Sequence, residues 1–144
     1  MGYVMDSMIV FRIATEHIGV DIVQVREVVE SSDLVKVPKS PAFILGLVNI
    51  RGNVIPVVSL RKRLGLGGIE GSNTLLITES RGRVAALKVD ELFGTKKVDA
   101  SRISDQTELR TTKDKKELFL GIYEEETKPI HILNLDKILS KEDT

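Results

Sequence analysis

Apolar positions along this chain fall in short alternating or clustered runs, and almost all of them read as strands. Met8–Ala14 is rich in β-branched residues, and Thr15-Glu16-His17 turns it back into Ile18–Asp21. Val23, Val25, Val28 and Val29 then alternate roughly with Gln24, Arg26 and Glu27, as in a half-buried strand. Pro38 and Pro41 break the chain ahead of two apolar runs, Ile44–Ile50 and Val54–Leu60, separated only by Arg51-Gly52-Asn53. Gly and Asn between such runs suit the positive φ angles of a tight hairpin. Ser59 is placed to cap a short helix, Leu60–Leu64, that stops at Gly65. Gly65–Ser72 follows as a flexible, glycine-rich joint. Beyond it, Asn73–Thr78 and Arg83–Asp90 read as strands around Ser80-Arg81-Gly82, and Ser104–Glu117 as a long polar loop. Leu118–Glu124, Pro129–Leu133 and a helix from Asn134 complete the pattern.

The pattern occurs twice. Gly46 and Gly121 are 75 positions apart, and the same offset lays Ile55–Leu64 on Ile130–Leu139. Ser59 then meets Asn134, two residues able to do the same capping work. The strand pairs before them, Met8–Asp21 and Thr74–Leu87, match less closely at an offset of 66, which puts the extra residues in a loop of the second half. A strand pair, a crossing hairpin and a capping helix used twice imply a mainly β protein of two small β-barrels. On this reading one barrel spans about 8–64, the joint 65–72 and the second barrel about 73–144.

Composition narrows the functional classes. Lys plus Arg equals Asp plus Glu at 21 each, so no general pull toward nucleic acid or an anionic membrane is expected. Aromatic residues make up 4% of the chain and there is no Trp, which argues against a base-stacking platform. The chain has no cysteine, which excludes disulfides and thiolate metal sites. No run approaches the roughly 20 apolar residues of a membrane helix, and the N-terminus has neither signal-peptide character nor a complete myristoylation motif. The expectation is a cytoplasmic protein.

Candidate chemistry is sparse. His17 and His131 lie in opposite repeats, and the alternation of His131 with Ile130 and Ile132 predicts an outward strand position. Gly65-Leu66-Gly67 begins like a dinucleotide fingerprint, but Glu70 stands at its sixth position and a helix precedes it. Glu124-Glu125-Glu126 reads as a solvated turn, and Arg61-Lys62-Arg63 and Lys113–Lys116 as solvated faces. No nucleophile elbow or phosphate loop is present, and no catalytic residue, metal ligand or cofactor is expected. Arg51 stands out instead. A guanidinium at the rim of a hairpin flanked by apolar strands is either an ordinary solvated turn residue or a fixed charge presented to a partner.

Several motifs resemble those of a known family. Gly19–Ile22 followed by Val25–Val29 looks like an early segment of the bacterial chemotaxis coupling protein CheW. Val37-Pro38 with Pro41-Ala42-Phe43, and then Gly46–Gly52, is similar to that family's signature, and Val54–Val58 with Leu60-Arg61 to the strand and helix that follow it. The resemblance runs from about Met8 to Leu139 and is most specific over Asp21–Leu64. Ile18 departs from it in place of an aromatic residue, Ser59 in place of Asp, and Thr95 where an apolar groove residue is expected.

What the resemblance implies is a pair of Src-homology-3-like β-barrels acting as a non-enzymatic adaptor. It would link the cytoplasmic tips of methyl-accepting chemotaxis receptors to the regulatory domain of the histidine kinase CheA, without nucleic acid or direct membrane insertion. Val25, Leu75 and Leu92 would line a groove for the helical receptor tip, with Arg51 at its edge and paired with Glu27. Kinase docking would use an apolar patch on the first barrel away from Arg51, whose individual residues the sequence does not single out. An adaptor of a sister motility or gene-regulation pathway, a nucleic-acid-binding barrel and an enzyme are the alternatives. The last two are disfavoured by the charge balance, the few aromatics and the lack of a catalytic constellation.

Overall fold

A computed structural model describes residues 5–69, 71–104 and 113–140. The first four of the N-terminal residues read against a signal peptide or myristoylation lie outside this range, as does most of the polar loop. Among the described residues eleven strands run in chain order: β1 (Ser7–Ile13), β2 (Glu16–Asp21), β3 (Val25–Glu30), β4 (Ile44–Ile50), β5 (Asn53–Ser59), β6 (Thr74–Ser80), β7 (Arg83–Val89), β8 (Glu91–Lys97), β9 (Ile103–Ser104), β10 (Phe119–Tyr123) and β11 (Ile130–Leu133). Helix α1 (Leu60–Arg63) follows β5 and α2 (Leu135–Ile138) follows β11. The helices start where expected: Ser59 Oγ accepts from Lys62 N at 3.2 Å and Asn134 Oδ1 from Lys137 N at 3.3 Å. Lys113–Leu118, read as the end of the loop and the first residue of a strand, forms a 3-10 helix.

The repeat is present, and its alignment is set by the turns. Ala14 and Arg81 both have φ near +50° and open the turns of β1–β2 and β6–β7, so these hairpins superpose at an offset of 67, one more than apolar matching suggested. Gly46 and Gly121 also play the same part. A Cβ on either would sit 2.7 Å from a backbone carbonyl, that of Val35 or of Ser104 respectively. At both places a neighbouring stretch of backbone passes too closely for any side chain.

The strands are not divided at the glycine joint. One sheet has the order β8-β1-β2-β11-β10-β9 and the other β3-β6-β7-β5-β4. Each repeat therefore lends its leading hairpin to the other repeat's barrel: β1–β2 joins β8–β11, and β6–β7 joins β3–β5. The expected barrels, 8–64 and 73–144, are thus replaced by two interlaced ones. Local alternation predicts a strand but not its partner, because pairing across repeats is decided by which edges meet in space.

Three apolar clusters result. Val48, Ile55, Val57, Leu75, Ile77 and Ala86 fill the first barrel (β3–β7), and Met8, Val10, Tyr123, Ile130 and Ile132 are central to the second. Between them lies the largest cluster, to which both barrels and both helices contribute, including Phe11, Ile18, Leu60, Leu76, Leu87, Leu133 and Leu135. Strands such as β11 are consequently covered on both faces, and all four of its residues are buried. This is why His131, expected to point outward, is only 5% exposed. Its ring meets Phe119 edge-on at 5.9 Å, and its Nε2 lies 3.7 Å from Glu16 Oε2.

Candidate functional site

The β4–β5 hairpin closes with the pair Ile50↔Asn53, so Arg51 and Gly52 are the two turn residues. Their φ angles, +50° and +85°, are the two positive values that a type I′ turn requires. Positive φ therefore falls on Arg51 and Gly52 rather than on Gly52 and Asn53. Asn49 Oδ1 accepts from Gly52 N at 2.8 Å and steadies the turn. A left-handed arginine costs roughly 1–2 kcal/mol relative to the right-handed backbone, and its side chain leaves the hairpin in a fixed direction. That direction leads to Glu27 on β3, with which Arg51 forms an ion pair.

β3 and β4 are the two edges of their sheet, so the pair ties together the ends of a curled barrel. Arg51 stays 70% exposed. Below the pair is a cleft of about 310 Å³ whose floor includes Ile55, Ile77 and Val84, and Arg26 on its rim is paired with Glu79. The site is thus a rigid, charged rim over an apolar floor, suited to docking a surface rather than to bond chemistry.

The other residues named from the sequence are placed differently. Val25 is half-buried on β3 against the inter-barrel core. Leu75 is 1% exposed inside the first barrel, opposite Val29, and offers no surface to a groove. Leu75 is expected to line a groove, but its strand, β6, lies between β3 and β7 and turns one face into the barrel. Leu92 lies in the other sheet, on edge strand β8 opposite Phe11, and is 37% exposed. Val25 and Leu92 hold corresponding places in the two barrels, one at the start of β3 and the other near the start of β8.

The second barrel has a counterpart cleft of about 330 Å³, bordered by His17, Phe93, Lys96, Glu125 and Lys128. It is also bridged by an ion pair from edge strand to hairpin turn, Lys96 to Glu125, with the charges exchanged relative to Glu27 and Arg51. Glu125 is not a freely solvated member of the acidic turn. The Lys96 hydrogen bond, aided by Arg102 at 3.4 Å, holds its carboxyl below the usual range. His17 packs edge-on against Phe93 at 5.0 Å. Projecting the Arg51 turn through the 75-residue offset was the signal that could have located this cleft.

The run Arg61-Lys62-Arg63 is not a solvated face either. Arg61 pairs with the nearly buried Asp90, whose Oδ2 also accepts from Ala14 N at 2.7 Å, while Arg12 lies 3.7 Å away. Arg63 is buried, donates to the carbonyls of Lys137 and Ile138 at the end of α2, and lies over the Phe43 ring. These arginines fasten the seam between the barrels. Among the described residues no cluster of His, Asp or Glu could hold a metal ion, and no helix is long and apolar enough to cross a membrane.

Paired clefts on two interlaced barrels define a docking module rather than a reaction chamber. A family model described as a CheW-like domain matches residues 7–143, and the chain belongs to that family. It is 29% identical over 134 residues to the chemotaxis protein CheW of Helicobacter pylori, covering 92% of this chain and 80% of that protein. It is 29% identical over 132 residues to the chemotaxis protein CheW of Thermotoga maritima, covering 91% and 85%. The crystal structure of the scaffolding protein TtCheW from Thermoanaerobacter tengcongensis superposes with a TM-score of 0.85 at 31% identity, covering 99% of this chain and 92% of that one.

Proposed function

We propose that this chain is a non-enzymatic adaptor that couples the cytoplasmic tips of methyl-accepting chemotaxis receptors to the regulatory domain of the histidine kinase CheA. The observation that carries this reading is the Glu27–Arg51 pair, an exposed charge locked over a cleft with Ile55, Ile77 and Val84 in its floor, within the stretch that most resembles the family signature. Val25, Glu27, Arg51 and Leu92 form the receptor surface, and Leu75 supports β3 from inside the barrel. The kinase docks on exposed apolar positions of the first barrel away from Arg51, where Val35 and Val37 stand out. The protein works in the cytoplasm and reaches the membrane array through these partners.

Pull-down of full-length protein with a receptor-tip fragment and with the CheA regulatory domain tests the reading, beside a titration with single-stranded oligonucleotide. Capture of both proteins is expected. Oligonucleotide binding with neither protein captured would overturn it. An isolated 73–144 fragment cannot serve in this test, since its β6–β7 hairpin would lack the β3 and β5 neighbours that complete its sheet.

A further inference from the structure

The interlaced topology gives the chain a second way to satisfy the same contacts. Within a repeat, the leading hairpin shares no sheet pairing with the strands that follow it. β1 pairs with β8, β2 with β11, β3 with β6 and β5 with β7, and all four pairings cross from one repeat to the other. The sole covalent link between these complementary halves is the joint 65–72, where Gly65, Gly67 and Gly68 hold φ of +70°, +70° and +89°. A glycine-rich joint can reopen with little penalty.

We propose that two copies of this chain exchange repeats. Repeat one of each pairs with repeat two of the other, giving two complete two-barrel units tethered by two opened joints. Every strand pairing of the monomer is kept, so the two forms differ chiefly in joint conformation and in the entropy of association. A short flexible tether holds its ends at an effective concentration of about 1 mM. The closed monomer therefore prevails in dilute solution, and the exchanged dimer becomes comparable where the chain is crowded to about that level. The exchange has consequences for both clefts, because each is built from both repeats. The Arg51 cleft takes Ile77 and Val84 from repeat two, and the Glu125 cleft takes Val10 and His17 from repeat one. In the dimer each cleft is completed by the other copy, and the particle presents two Arg51 rims instead of one.

The test uses full-length protein carrying a protease site inserted after Gly68. The protein is unfolded, refolded at about 1 mM and at about 10 μM, and its mass is measured by light scattering before and after the joint is cut. The expected result is a species of twice the chain mass, at least tenfold more abundant after concentrated refolding, that falls to one chain mass on cutting with its strand content unchanged. A doubled mass that survives cutting would mean an ordinary surface dimer and would overturn the proposal. Absence of any doubled mass after concentrated refolding would overturn it as well.

Discussion

Arg51→Glu separates a fixed recognition charge from an incidental turn residue. Arg51 is 70% exposed and its only described side-chain partner is Glu27. An exposed pair of this kind contributes about 0–1 kcal/mol. Reversing the charge adds repulsion from Glu27 of about 1 kcal/mol for unit charges near 4 Å apart in water. Glutamate inherits the left-handed backbone of the turn, as arginine does, so the hairpin strain changes little. The summed loss of stability is at most about 2 kcal/mol, or roughly 4–8 °C in Tm for a chain of this length, and the protein stays folded. Receptor-tip affinity should fall at least about tenfold, near 1.4 kcal/mol, while affinity for the CheA regulatory domain stays within about twofold. Calorimetric titration of both partners against one folded sample measures this. Two companion variants refine the cause. Glu27→Ala frees Arg51 without removing its charge, and should weaken receptor binding while leaving Tm nearly in place. The double exchange Glu27→Arg with Arg51→Glu rebuilds the ion pair with reversed polarity. Restored binding in it would mean that the pair only braces the barrel; continued weakness would mean that the guanidinium itself meets the receptor. Unchanged receptor affinity in folded Arg51→Glu would refute the reasoning.

Three further outcomes follow from the packing. Asp90→Ala should cost about 3 kcal/mol in urea unfolding, because it strands the nearly buried Arg61 guanidinium and the Ala14 N–H; a loss under about 1 kcal/mol would show the seam to be better solvated than its geometry implies. Gly121→Ala, whose Cβ would meet the Ser104 carbonyl at 2.7 Å, should lower stability by about 2 kcal/mol, whereas Gly71→Ala, with open space around it, should change it by less than about 0.5 kcal/mol. Burial holds the His131 pKa below its ordinary value near 6.5, with Lys128 acting in the same direction and Glu16 opposing. The unfolded chain therefore binds the proton more readily than the folded one, so this contribution is complete above about pH 6.5 and is lost as pH falls below it. In His131→Leu the stability-versus-pH curve between pH 7 and 5 should be flatter; an unaltered slope would count against this assignment.

The features that depend on near neighbours were legible in the sequence because they are local. Apolar alternation located most of the strands, Ser59 and Asn134 announced the helix starts, and the short Arg51-Gly52 turn identified the hairpin that carries the site. The repeat was also visible, since duplicated strands keep their spacing. Missed were the β8 and β9 strands, the first carrying polar residues and a glycine through its length and the second only two residues long. The acidic turn and the basic run after Ser59 were misread for a related reason. Charge written along a chain reads as solvation, but Glu125 and Arg61 found partners, Lys96 and Asp90, that lie far away in sequence.

Taken alone, then, the sequence determined most of the elements, the duplication and the residues able to form a charged rim, because each depends on neighbours within a few positions. Tertiary structure alone decided that the repeats interlace, that Leu75 and His131 lie inside, and that a second cleft mirrors the first with its charges exchanged. A strand's hydrogen-bonding edges and both of its faces must all be satisfied, and the sequence records only that a face is apolar. Which strand meets which edge is settled by the closure of both barrels at once, when the apolar surface left between them is buried in a common core.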